Sequence, residues 1–245
     1  MRQTRLYIEG EYAAGSELEV DTEKARYLGR VLRLRVGDPV IVFNGTGMAW
    51  SANIAAFSRS GATLSVRDPI TVSSESPLKV HLVQGISRGE RMDFVVQKAT
   101  ELGVKRITPL LTERGVVKLD DTRAEKRRQH WQKVAASACE QCGRVRLPLL
   151  DAPERLDTWL SAKPQHVELD VILRPGATQS LSAIDRPAAK VCILVGPEGG
   201  FSAAEYELAD AAGFMPVSLG PRVLRTETAA TAALAILQAR WGDLR

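Results

Sequence analysis

The sequence predicts an α/β protein with a small β-rich N-terminal region, and three observations carry that prediction. From Leu78 onward, short apolar runs alternate with helical periodicity, the pattern of a parallel sheet covered by helices. Before residue 70 the apolar runs are closed by turn residues, among them Asn44-Gly45, a strong hairpin signal. Between the two lies the polar, serine-rich stretch from Thr71 to Pro77, stopped by proline, which reads as a linker. The expected domains are therefore residues 1–70 and 78–245, joined by 71–77.

In the first region, Leu6-Tyr7-Ile8 is a short strand candidate. Asp21 to Leu34 reads as a helix capped by Asp21 or Thr22, with Ala25, Leu28 and Leu32 on one face. Val40–Phe43, Ala49–Phe57 and Ala62–Val66 supply further strands. In the second region Val80–Val83 is a strand and Arg91 to Leu102 a helix with Phe94, Val95, Ala99 and Leu102 inward, closed by Gly103. Ile107–Leu111 is a strand, Thr112 to Leu119 a connection, and 122–142 a long helix with Trp131, Val134, Ala135 and Ala138 on one face. A short helix holds Leu156, Trp159 and Leu160, and Val167–Leu173 is a strand ending in Arg174-Pro175-Gly176. Val191–Val195 and Met215–Leu219 read as buried strands on neighbouring positions, each closed by Gly-Pro. Between them Ser202-Ala203-Ala204-Glu205 has the capping-box spacing, so a helix starts near Ala203 and Gly213 ends it. Thr226 or Thr228 caps a final alanine-rich helix to about Arg240.

Composition narrows the class. With 44% hydrophobic and 25% charged residues in 245, the chain can bury a sizeable core. No apolar run approaches the ~20 residues of a membrane span, and the N-terminus lacks the apolar stretch of a signal peptide, which points to the cytoplasm. Net charge is only +4, but Arg2, Arg5, Lys24, Arg26, Arg30, Arg33 and Arg35 crowd the first segment, and Arg123, Lys126, Arg127 and Arg128 form another cluster. Basic surfaces of this kind attract phosphate backbones. Three cysteines without a secretory context make no disulfide framework, Cys139-x-x-Cys142 sits late in a helix, and the three histidines are scattered, so no metal is expected.

The site is expected where strand ends meet Gly-rich loops. Gly196-Pro197-Glu198-Gly199-Gly200 and Gly220 to Arg225 follow apolar strands, and the loop after Leu173 is a third. Open α/β sheets place ligands at such strand ends, and glycines let a ligand approach the backbone closely. Neither a phosphate-binding G-x-x-x-x-G-K-[ST] nor a dinucleotide G-x-G-x-x-G exists. A cofactor held mostly by backbone and apolar groups fits better, and no nucleophile–base pairing is apparent around the loops.

LVGPEGGFSAAE followed by LGPRVLRTETAA resembles the C-terminal signature of the RsmE family, SPOUT-class methyltransferases that use S-adenosylmethionine to methylate N3 of a uridine in 16S ribosomal RNA. GISRGERMDFVVQKATELGV, ITPLLTERGVVKL, the segment around Trp131 and Glu140-Gln141, and Tyr27 to Asp38 resemble the same family. Where family members often carry histidines before the VLR motif, this chain has Arg26-Tyr27. The resemblance implies a PUA-like N-terminal β-barrel, a SPOUT α/β domain with a deep trefoil knot, a homodimer through that domain, and a target on the assembled small ribosomal subunit.

It also implies roles for residues. The cofactor would lie against Leu173, Gly196, Pro197, Glu198, Gly199, Gly200, Leu219, Gly220, Pro221, Val223, Leu224 and Thr226. Uridine N3 must lose a proton, and a carboxylate with a raised pKa serves as acceptor; Glu198 and Glu227 are the candidates, Glu198 the favoured one because Glu227 is better explained as favourable charge at the start of a helix. Arg222 and Arg225 are candidates to stabilise charge on the uracil oxygens. Arg2, Arg5, Arg30, Arg33, Arg88, Arg91 and Arg114 are candidates for RNA contact.

Overall fold

The computed structural model describes residues 3–115, 120–163 and 168–244. Contacts divide the chain into two compact units, Met1–Glu75 with Ala136–Leu147, and Ser76–Ala135 with Pro148–Arg245.

The first unit is a curled sheet of five strands: β1 (Thr4–Tyr7), β2 (Glu17–Val20), β3 (Pro39–Phe43), β4 (Ala49–Phe57) and β5 (Ala62–Ile70), in the order β1-β3-β4-β5-β2. β1 runs parallel to β3 and the other pairs are antiparallel. Among the described residues no ladder joins β1 to β2, so the expected barrel is an open sheet by its hydrogen bonds. Register shifts between Trp50 and Ala52 and between Ile54 and Ala56 bend it. β3 is apolar on both faces because both are covered: Val40 and Val42 join Leu6, Leu28, Trp50 and Leu64, while Ile41 and Phe43 pack with Cys139 and Val145. Residues 136–147 belong here through such contacts, with Glu140 Oε1 accepting from Tyr7 N at 2.8 Å and Arg144 paired with Glu75 at 2.9 Å.

The helix expected from Asp21 to Leu34 is shorter and changes pitch. Asp21 caps α1 (Thr22–Arg26) by accepting from Lys24 N at 2.8 Å. Tyr27–Val31 then widen into a π-helical turn, and Arg33 adopts a left-handed φ of 57°. The wider turn rotates Leu32 off the buried face, leaving it 36% exposed while Ala25 and Leu28 stay buried. β2 had no clear signal, because Glu17-Leu18-Glu19-Val20 is short and half charged.

The second unit is a parallel sheet with helices on both faces. Its strands are β6 (Lys79–Gly85), β7 (Arg106–Leu111), β8 (Leu149–Leu150), β9 (Glu154–Arg155), β10 (Leu169–Leu173), β11 (Lys190–Val195) and β12 (Met215–Val217). The order is β12-β10-β11-β6-β7-β8, with β9 also on β7, and every ladder is parallel. Its helices are α2 (Glu90–Glu101), α3 (Asp121–Cys142, ending in the first unit), α4 (Leu156–Ala162), α5 (Ala203–Ala211) and α6 (Thr226–Trp241). Alternate side chains feed two cores: Val191, Ile193 and Val195 join α2, Trp131 and α6, whereas Cys192 and Leu194 join Trp159, Phe201, Ala209 and Phe214.

Three expectations change. β11 and β12 are not neighbours; β10 lies between them. Phe94 is 43% exposed, because α2 turns Met92, Val95, Val96 and Ala99 to the core and leaves Phe94 on its flank near Lys98. Neither Thr226 nor Thr228 caps α6, since Arg225 holds the cap position and Thr226 is the first helical residue. The strand beginning at Val167 starts at Leu169, Val167 itself lying outside the described residues, as does the end of the 112–119 connection.

α6 carries a fully buried glutamine. Gln238 donates to the Leu102 carbonyl at 2.7 Å and accepts from Ser76 Oγ at 2.7 Å. Replacing Gln238 by Leu strands both partners and lowers stability by about 1–3 kcal/mol, seen as a lower urea midpoint at unchanged slope.

Candidate functional site

The sheet order brings three loops to one edge. β12, β10 and β11 are adjacent and parallel, so their C-terminal loops leave the same side. There a cavity of about 660 Å³ opens, a volume suited to a small ligand. Its wall includes Leu173 and Pro175 after β10, Val195 to Phe201 at and after the end of β11, Tyr206 of α5, Val223 to Glu227 and Ala229 around the start of α6, Arg91 from the first turn of α2 and Arg114 from the loop after β7.

The Gly196 loop is built by local rules. Pro197 to Gly200 form a turn in which Gly200 N donates to the Pro197 carbonyl at 2.9 Å, and Gly200 takes a left-handed φ of 64°. Ser202 caps α5 in a full capping box with Glu205. Phe201 and Tyr206 on either side of that cap meet edge to face at 5.7 Å, the hydrophobic staple that accompanies such boxes. Glu205 Oε1 accepts from Glu113 N at 2.8 Å, so the same buried carboxylate holds the loop after β7. That loop lies against Gly199, where a Cβ would come within 2.9 Å of the Arg114 carbonyl oxygen.

Beneath the loop is a buried polar node. Thr226 Oγ1 donates to the Gly196 carbonyl at 2.6 Å, and Gln84 Nε2 donates to Thr226 Oγ1 at 2.9 Å. The Gly196 carbonyl is therefore already committed, and the loop's other backbone groups are the ones left for a ligand.

Charged groups divide into paired and unpaired. Glu198 Oε1 accepts from Arg91 Nη1 at 2.6 Å and from Arg88 N at 3.0 Å. Burial pushes the Glu198 carboxyl up, but its own backbone N–H, the Arg91 guanidinium and the Arg88 N–H outweigh it and hold the group below the usual carboxylate range. The raised carboxylate expected at Glu198 is thus not what the loop creates. Glu227 is half-buried in the cavity wall, and its Oε2 is closed to solvent with no hydrogen-bond partner. Arg225 and Arg114 line the cavity as exposed cations. Arg174 is turned aside, stacked 4.2 Å over the Tyr206 ring and paired with Asp210 at 2.9 Å. Burial pushes the Tyr206 phenol up.

Most of the residues expected at a cofactor come together here: Leu173, Gly196, Pro197, Glu198, Gly199, Gly200, Val223, Leu224 and Thr226, with Arg225 from the catalytic pair. Leu219, Gly220, Pro221 and Arg222 do not line the cavity; Leu219 packs on the core, Gly220 turns the chain with a φ of 103°, and Pro221 and Arg222 are exposed. Of the expected RNA contacts, Arg30, Arg33, Arg88, Arg91 and Arg114 are exposed. Arg5 is half-buried with a sealed Nε and lies near Gly143, which disfavours a phosphate contact through that atom. Arg2 lies outside the described residues. Tyr206 and Phe201 were missed, although an aromatic pair bracketing Ser202 and Glu205 is the sequence signal of the staple. Among the described residues no three His, Cys, Asp or Glu side chains gather as a metal site, and no helix is long and apolar enough to cross a membrane.

Residues 74–238 match the family described as RNA methyltransferase domain, and residues 20–67 match the RNA methyltransferase PUA domain. The chain is 34% identical to ribosomal RNA small subunit methyltransferase E of Buchnera aphidicola subsp. Acyrthosiphon pisum, over 98% of this chain and 95% of that protein. Among solved structures, a methyltransferase of Legionella pneumophila with S-adenosylmethionine bound superposes with a TM-score of 0.93 at 43% identity, covering both chains completely. Ribosomal RNA small subunit methyltransferase E from Neisseria gonorrhoeae, bound to S-adenosylmethionine, gives 0.90 at 36% identity, again over all of both chains. With a PUA match, a methyltransferase match and full-length relatives in agreement, this chain belongs to the RsmE family of RNA methyltransferases.

Proposed function

We propose that this protein transfers a methyl group from S-adenosylmethionine to N3 of a uridine in 16S ribosomal RNA, on the assembled small subunit in the cytoplasm. The observation that carries the reading is the cavity where three parallel strands end, walled by backbone, apolar side chains, two carboxylates and three arginines. Its backbone and apolar groups suit a cofactor with an aromatic base. Leu173, Val195, Phe201 and Leu224 offer apolar surface, and the free backbone groups of the 197–200 and 223–226 segments offer hydrogen bonds. The bound cofactor supplies an electrophilic methyl, and the chain's main task is to align it with the attacking nitrogen.

Arg225 faces the uracil and stabilises negative charge as N3 is deprotonated. Arg88, Arg91 and Arg114 meet RNA at the cavity rim, and Arg30 and Arg33 meet it from the PUA region. The 1–70 region docks RNA, 71–77 links, and 78–245 carries the chemistry. Two copies associate through the methyltransferase region. On this reading the second unit is knotted as a deep trefoil; in its support, the chain returns after edge strand β12 to place Thr226 against Gln84 at the end of β6 and to pack α6 with α2.

The test is methyl transfer from labelled S-adenosylmethionine to small subunits from a strain lacking the enzyme, followed by nucleoside analysis. Label in 3-methyluridine is the expected result; label in another nucleoside overturns the target while leaving the reaction type. Arg225→Ala loses turnover by about 10²–10³-fold while calorimetric binding of S-adenosylmethionine persists; joint loss assigns Arg225 to the cofactor loop. Gly199→Ala pushes the Arg114 segment away and weakens cofactor binding by about tenfold, or 1.4 kcal/mol, in the same calorimetric measurement.

A further inference from the structure

Uridine N3 carries a proton that must leave before or during methyl transfer, so the cavity needs a proton acceptor. Among the described residues six titratable side chains line it: Arg91, Arg114, Glu198, Tyr206, Arg225 and Glu227. The three arginines stay cationic and accept nothing. Tyr206 is a phenol whose proton burial retains more tightly. Glu198 already accepts from Arg91 and from the Arg88 backbone, and these bonds favour its charged form and hold its carboxyl below the usual carboxylate range, which makes it the weaker proton acceptor. Among the described residues no lysine, histidine or cysteine lines the wall. The carboxylate left is Glu227, at the second position of α6, next to Thr226 and Arg225.

Among the described residues of the wall, Glu227 carries the unsatisfied side-chain atom. Its Oε2 is sealed from water with no hydrogen-bond partner. Its backbone carbonyl accepts from Thr231 Oγ1 at 2.8 Å, so the main chain is fixed while the carboxylate remains free. The charged groups that share the wall with it are Arg91 from α2, Arg225 from its own helix start, Arg114 and Glu198.

We propose that Glu227 is the general base of the reaction. The inference rests on the methyltransferase reading above. The N3–H proton passes to the Glu227 carboxylate, the N3 electron pair forms the new N–C bond, and the S–C bond of the sulfonium breaks with its electron pair remaining on sulfur. Neighbouring Arg225 meets the charge that the departing proton leaves on the uracil ring, so base and charge stabiliser are consecutive parts of one helix start. Glu198 is a positioning residue that holds Arg91 and the loop after β6.

The experiment is single-turnover methyl transfer to unmodified small subunits across pH, with wild type, Glu227→Gln and Glu227→Asp, and calorimetric binding of S-adenosylmethionine in parallel. Glu227→Gln is expected to slow transfer by about 10²–10⁴-fold with cofactor affinity held within about threefold. Its residual rate climbs about tenfold per pH unit as solution ionises N3 in place of the side chain, whereas the wild-type rate levels off above an acid limb. Glu227→Asp recovers part of the rate and the level region. A Gln variant with the wild-type rate and profile overturns the proposal, and so does one that loses cofactor binding along with rate. Wild-type enzyme that forms no 3-methyluridine overturns the parent reading and this one together, whereas 3-methyluridine formed equally by the Gln variant overturns this one alone.

Discussion

The site depends on a buried hydrogen-bond node under the Gly196 loop. Gln84 comes from the end of β6, Gly196 from the end of β11 and Thr226 from the first turn of α6, and their side chains and carbonyl share one chain of bonds. Gln84 is fully buried, so its donors have no water to fall back on. The adjacent Gly85 has the same dependence, since a Cβ there would lie within 2.4 Å of Pro197 Cδ. Strand end, glycine loop and final helix are thereby locked in one arrangement before any ligand arrives.

Two carboxylates extend that order outward. Glu198, between β11 and α5, takes the Arg88 N–H, and Glu205, in the first turn of α5, takes the Glu113 N–H, so each tethers the loop after a different strand. Each replaces water at a backbone donor that the loops leave unpaired. The cavity wall is preorganised by residues whose charge would otherwise suggest catalysis.

Much of this was legible in the sequence. The capping box at Ser202, the Gly-Pro loop ends and the alternating apolar runs are local rules, and α5, β6, β7 and β11 follow them. The loops that form the cavity were visible for the same reason. What failed was non-local. That β10 separates β11 from β12 is a property of the crossovers, and no spacing in the sequence encodes it. The fate of Glu198 depended on Arg91, 107 residues away. Phe94 and Leu32 were misjudged because small changes of helix phase and pitch, fixed by packing, decide which flank is covered. Leu219 to Arg222 carry the same loop chemistry as their neighbours but are not part of the cavity wall.

The strand order also sets a schedule for synthesis. β6 emerges early and sits in the middle of the finished sheet, but its partner β11 follows only after residue 190. Gln84 waits 142 residues for Thr226. Domains form from the N-terminus during translation, and non-local parallel pairing is slow to close. The first unit meets the same delay, since its contacts from 136–147 arrive long after its sheet is complete. A nascent chain therefore carries a folded five-stranded sheet well before it has a cavity, and the catalytic half becomes competent only when the last helix has left the ribosome.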